Sequence, residues 1–329
     1  MAVESQSGSR TWRLVVGWSA VVLNLLVSCL WAFWGAVENF HEGWHYGHLG
    51  LNLLWTLAYL HRMLAAVLLG LLALRWPRLG GLFYLLVGVY FARLYPFGRT
   101  GSMSGAGFLL TLLMMGGWFL IGLLFWFGRP RPRRLVYHLT WGLPLAVAVV
   151  SGAEGAWRVA TRHDDGDRGM RAVEGNGVRL TWAPAGPGWP TSGVSLEEAK
   201  RICRHLSDDG LRLADHPQDI WRLPTVEEVV RSLTRHGLNA GGEWKEESHR
   251  ATYRVWPDKE SPLWNPYSQI IYWWTATDAD PEHVYRVAYN GYVLVVSKRM
   301  PMGSCAFRAV RREPPPHPTL SPPRGERVG

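Results

Sequence analysis

Five apolar runs, at 14–37, 49–74, 79–95, 107–127 and 135–157, constrain the fold of this chain more than any other feature of its sequence. The hydrocarbon core of a bilayer is about 30 Å thick, and roughly 20 helical residues cross it. In that medium each backbone N–H and C=O must be satisfied inside the segment, so runs of this kind form helices. The third run is short and the fifth is the most diluted by glycine. The first run lacks a small-residue cleavage site behind a short apolar core, which predicts a retained anchor and not a removed signal peptide.

Charge supports the same reading. The net charge is +9, and the first 160 residues hold twelve Arg against four Glu, a net of +8, leaving +1 for the rest of the 329-residue chain. A nucleic-acid-binding chain spreads Lys and Arg over a solvated face. Here Arg10 and Arg13 precede the first run, Arg75 and Arg78 follow the second, and Arg129, Arg131, Arg133 and Arg134 follow the fourth. That is the distribution that orients membrane helices, with the basic loops on the cytoplasmic side. It predicts five crossings, a cytoplasmic N-terminus, an extracytoplasmic C-terminal region and a bacterial-type inner membrane, with no nucleic-acid partner.

Three polar features interrupt the apolar half. Glu38, His41, Glu42, His45 and His48 follow the first run and contain ExxH twice, a metal-ligand spacing in helical bundles. The same residues also suit a hydrated outer loop. His61 and Arg62 lie near the middle of the second run, where a charge is costly and marks a functional site or a clasp between helices. Glu38, Glu42 and Glu154 are the candidate partners. His138 lies in the fifth run, but no haem-attachment motif accompanies it. Cys29 reads as a small buried residue in the first run.

Residues 158–177 are polar and glycine-rich and read as a linker. Beyond them, 178–182 reads as a strand. Ser195 with Glu198 and Thr225 with Glu228 are two capping boxes, each followed by an apolar helical stripe. Residues 241–268 are rich in Trp, Pro and Glu without periodicity, a long loop of the kind that carries function. Three strands are expected at 270–275, 284–289 and 292–297, the last two joined through Asn290-Gly291 as a type I′ hairpin. A final strand at 306–310 would set Arg308 and Arg311 on the face opposite Phe307 and Val310. Residues 313–329 are Pro-rich and read as a disordered tail.

Taken in order, LTW (180–182), EEAKRIC (197–203), WRLPTVEEV (221–229), YWWTAT (272–277), YRVAYNGYVLVVSK (285–298) and FRAVR (307–311) resemble the Lcl C-terminal domain family. More distantly they are similar to the sulfatase-modifying, formylglycine-generating enzymes. The resemblance covers residues 178–312 and implies an α+β, C-type-lectin-like domain that is usually extracytoplasmic. Many members of the family carry Cys in the last motif where this chain has Ala309, and Cys305 lies four residues earlier. A Cys203–Cys305 disulfide therefore stays open. Formylglycine-generating enzymes bind copper through a pair of cysteines, and one thiol cannot make a two-thiolate site.

The expected architecture is a membrane helical bundle (1–157) carrying a lectin-like domain (178–312). The favoured function is display of a binding module for a glycan, a peptide or an envelope protein. Trp244, Trp256, Trp264, Trp273, Trp274 and Arg308 are its candidate ligand contacts. Calcium is a candidate cofactor through Glu243, Glu246, Glu247, Asp258 and Glu260, although no ligand motif indicates it. The alternatives are a formylglycine-generating-type enzyme dependent on Cys305, and a metal or haem site in the helical half built from Glu38, His41, Glu42, His45, His61 and Arg62.

Overall fold

The computed structural model describes residues 2–94, 105–260, 263–300, 303 and 305–312. The tail at 313–329 lies outside them. The chain divides near residue 160 into a helical unit and a β-rich unit.

The helical unit contains α1 (Ala2–Glu42), α2 (Leu49–Arg75), α3 (Pro77–Leu94), α4 (Gly105–Phe127) and α5 (Arg133–Ala160). Each coincides with one of the five apolar runs. Three segments, Thr11–Glu42, Leu49–Arg75 and Arg133–Ala160, are long and apolar enough to cross a membrane. Apolar packing does little to join helices in lipid, so close backbone approach and buried polar contacts take over. Gly80 shows the first: a Cβ there would lie 2.2 Å from the Ala73 Cα. Buried Tyr84 shows the second, donating its hydroxyl to Asn24 Oδ1 at 2.6 Å and linking α3 to α1.

The β-rich unit begins earlier than expected. Residues 171–175, within the expected linker, form β1 (Arg171–Gly175), which pairs antiparallel along its length with β2 (Val178–Trp182). The cause is the turn Gly175-Asn176-Gly177, in which all three residues take positive φ. Only glycine and asparagine do so cheaply. Next come α6 (Leu196–His205), α7 (Val226–Ser232) and the short hairpins β3–β4 (Thr234–Arg235, Leu238–Asn239) and β5–β6 (Glu243–Lys245, Arg250–Thr252). Both capping residues act as their spacing predicts. Ser195 Oγ accepts from the Glu198 N–H, and Thr225 and Glu228 form a complete reciprocal box.

The main sheet has the order β10-β7-β8-β9, built from Cys305–Ala306, Tyr272–Asp278, His283–Ala288 and Val293–Ser297. A second sheet sets β11 (Val310–Arg312) against β2 and β2 against β1. The expected single strand at 306–310 is thus two: the chain pairs with β7 in parallel, leaves the sheet at Phe307, and pairs with β2 antiparallel from Val310. Having partners on both sides, this segment is buried throughout 305–310, Arg308 included. The β8–β9 connection is also not type I′. Gly291 takes φ +87° but Asn290 does not take a positive φ, and the Gly291 N–H bonds back to the Ala288 carbonyl. It is a turn closed by one left-handed glycine.

Candidate functional site

Tryptophan placement decides what this unit can bind. Trp264, Trp273 and Trp274 are buried core residues, and Trp244 is nearly so. Trp264 and Trp273 stack with centroids 3.9 Å apart and ring planes 4° from parallel, and Trp182 packs on Trp273 at 5.2 Å. The buried indole N–H groups of Trp264 and Trp274 reach the carbonyls of Ile270 and Val194. Trp244 donates to Glu246 Oε2 at 2.7 Å. The expectation that these four contact a ligand is therefore corrected. A large apolar ring gains more from the core than from a surface loop, and carbonyls outside the strands take the N–H groups of Trp264 and Trp274.

Arg308 is also a core residue. Its Nε donates to the Ala183 carbonyl at 2.8 Å, and its guanidinium lies 3.8 Å above the Trp189 ring. It clamps the segment where the chain changes sheets and does not face solvent.

Of the six expected contacts, only Trp256 is exposed, at 45% of its surface. The Tyr253 ring lies 5.4 Å from it, and the ring of Tyr292, which is 59% exposed, lies 5.3 Å from it. Trp256 and Tyr292, from two separate segments, thus form an exposed aromatic pair beside the half-buried Tyr253 ring. Sequence reading missed Tyr253 and Tyr292. The available signals were the YxxW spacing and the tyrosine directly after Asn290-Gly291.

Gly291 holds the face together. A Cβ there would lie 2.6 Å from Tyr253 Cε2 and 2.8 Å from Pro257 Cγ, so the hairpin backbone rests directly on the tyrosine ring. The Tyr253 hydroxyl donates to the Gly291 carbonyl at 2.9 Å. Burial pushes the Tyr253 phenol above its ordinary range, which keeps it a neutral donor.

Behind Trp256 the chain turns inward through a group of buried charges. Asp258 accepts from Arg235 Nη1 at 2.7 Å. The Lys259 amine donates to the Ser268 carbonyl. Glu260 Oε2 accepts from the Gly237 N–H at 3.3 Å, with His236 Nδ1 3.5 Å from its other oxygen. Arg162 donates to the Pro266 carbonyl at 2.8 Å. Burial drives the Lys259 amine well below the usual lysine range and raises the Glu260 carboxyl. This arrangement corrects the calcium expectation. Asp258 and Glu260 are held inside by basic partners while Glu243, Glu246 and Glu247 are exposed, so the five carboxylates do not converge.

Cys203 and Cys305 are both free thiols buried in the same apolar cluster, so the disulfide left open by the sequence is not formed. Burial pushes the Cys305 thiol up to about 12, away from the lowered range of an activated cysteine nucleophile. In the helical unit, Glu38, His41 and Glu42 converge, and His45 is not among them. Arg62 lies 4.6 Å from the centroid of the Trp31 ring, and Glu154, one of its expected partners, pairs with Arg158 instead. His61 donates to the Ala58 carbonyl of its own helix. No protein-family model, curated protein or solved structure matches the chain.

Proposed function

We propose that residues 178–312 form an Lcl C-terminal-like, C-type-lectin-like binding domain. In this reading five membrane crossings hold it outside the cytoplasm, and the face of Tyr253, Trp256 and Tyr292 binds a saccharide of the cell envelope. The observation that carries the reading is the exposed Trp256–Tyr292 pair beside the Tyr253 ring, at a glycine turn where a Cβ would crowd Tyr253 and Pro257. Exposed apolar patches on folded domains mark interaction sites. The face of an aromatic ring is electron-rich. It therefore suits the C–H face of a pyranose ring, whose hydroxyls point outward to water. The arginines flanking the apolar runs support the membrane placement, and the ordered motifs of the β-rich unit support the family reading.

The test is saccharide binding by the full-length protein in detergent or nanodiscs, using envelope polysaccharide and peptidoglycan fragments as probes. Covering roughly 60 Å² of indole at about 25 cal/mol per Å² contributes about 1.5 kcal/mol, so Trp256→Ala should weaken binding about tenfold. Tyr267→Ala, at an exposed tyrosine outside the group, should leave binding unchanged. Equal binding by wild type and Trp256→Ala, or no binding to any of these saccharides, rules the reading out.

A further inference from the structure

We propose that Glu38, His41 and Glu42, at the C-terminal end of α1, bind a divalent transition-metal ion. The site is separate from the aromatic face and independent of the reading given for it.

Their spacing, i, i+3 and i+4, places the three side chains on one helix face. One ligand atom from each lies within 4.8 Å of the other two, and among the described residues no other group of three such side chains converges in this way. His41 Nδ1 is 3.4 Å from Glu38 Oε2. Two ligands of a tetrahedral ion, each bonded at about 2.1 Å, are about 3.4 Å apart, so this pair already stands at ligand separation.

Two further observations lie outside the three residues. Tyr59 on α2 donates its hydroxyl to Glu42 Oε2 at 3.2 Å. An outer partner of this kind orients a ligating carboxylate. The surrounding charge also favours a cation. Residues 38–61 contain no Lys or Arg, and the site lies at the C-terminal end of α1, the negative end of its dipole. Glu38 and His41 are each 24% exposed, so both are partly desolvated.

The donor set selects the ion class. One imidazole and two carboxylates suit Zn²⁺, Co²⁺, Fe²⁺ or Mn²⁺, whereas Ca²⁺ prefers oxygen alone and Cu⁺ prefers thiolate. Two carboxylates neutralise a divalent ion, and three protein ligands leave a coordination position open.

The test uses full-length protein in nanodiscs, stripped with chelator and titrated with Zn²⁺ and then Co²⁺. The expected result is about one ion per chain, with visible cobalt bands of a four- or five-coordinate N/O site. His41→Ala should weaken affinity at least tenfold, within the range lost with a single ligand or its partner. Glu42→Gln should do the same. That change is isosteric, so it reads the ligand role without altering packing. Glu154→Gln serves as the control and should change nothing. Zinc binding no greater than that of empty nanodiscs, or variants that bind as wild type does, overturns the site.

Discussion

Gly291→Ala is the perturbation that bears most directly on the aromatic face. Two costs are separable at this position. The first is backbone: φ is +87°, and a residue with a Cβ in the left-handed region costs about 1–2 kcal/mol. The second is steric. The new methyl would meet Tyr253 Cε2 at 2.6 Å, Tyr253 Cζ at 2.7 Å and Pro257 Cγ at 2.8 Å. Forcing a ring and a proline apart in a packed region costs about 1–3 kcal/mol. The expected loss is therefore about 2–5 kcal/mol, localised to the β8–β9 hairpin. Gly166→Ala separates the two terms, because Gly166 has φ +70° but open space where a Cβ would go, so only the backbone cost applies. The assay is hydrogen exchange at the amides of 283–297, which reads local opening without requiring the helical unit to unfold. Gly291→Ala should speed exchange there by about 30-fold or more, while Gly166→Ala leaves it unchanged. Equal exchange in wild type and Gly291→Ala would refute the claim that the glycine is fixed by contact with Tyr253.

Two further outcomes follow from the buried groups. The Lys259 amine is depressed by burial, so the folded state binds fewer protons than the unfolded chain below the ordinary lysine pKa. Stability of the wild type should then rise as pH increases towards the ordinary lysine pKa, and Lys259→Met should remove that slope, measured by denaturant unfolding followed by tryptophan fluorescence. With its thiol pushed up to about 12, Cys305 holds only about one thiolate in ten thousand at pH 8. Maleimide should label neither Cys203 nor Cys305 until the β-rich unit is unfolded, and rapid labelling of either in the folded protein would contradict their burial.

The elements legible in the sequence were those governed by local rules. Apolar length gave all five helices, and the capping residues Ser195 and Thr225 gave the starts of α6 and α7. Alternation gave β7, β8 and β9 to within two or three residues. What was not legible depended on contacts between distant segments. The strand expected at 306–310 breaks because Cys305 and Ala306 pair with β7 while Val310 pairs with β2, and nothing within that stretch signals two partners. Alternation set Arg308 opposite Phe307 and Val310, either to clamp loops or to meet an acidic ligand. It is buried because Ala183 and Trp189, more than a hundred residues away in sequence, supply its acceptor and its ring face. Trp264, in the aperiodic stretch 241–268, was placed on a contact surface for the same reason. A stretch without periodicity gives no indication of which of its aromatic residues point inward.

The buried charges and the exposed rings are two parts of one arrangement. Irregular chain between β6 and β7 has few ladder partners of its own, and backbone groups that cannot pair locally must find acceptors and donors elsewhere. Here the side chains of Arg162, Lys259 and Glu260 bond to backbone at Pro266, Ser268 and Gly237, and Arg235 fixes Asp258. Buried ions of this type contribute little net stability compared with apolar replacements, but each requires a particular partner, so they can specify a single path for the loop. Trp256 lies two residues before Asp258, and Tyr253 is held against the Gly291 turn. A ring fixed in this way loses little freedom when a ligand covers it, and preorganisation is what lets a small flat surface bind measurably. The same logic applies to Lys259→Met: it takes the donor from the buried Ser268 carbonyl, so it should loosen the loop path and weaken saccharide binding at Trp256.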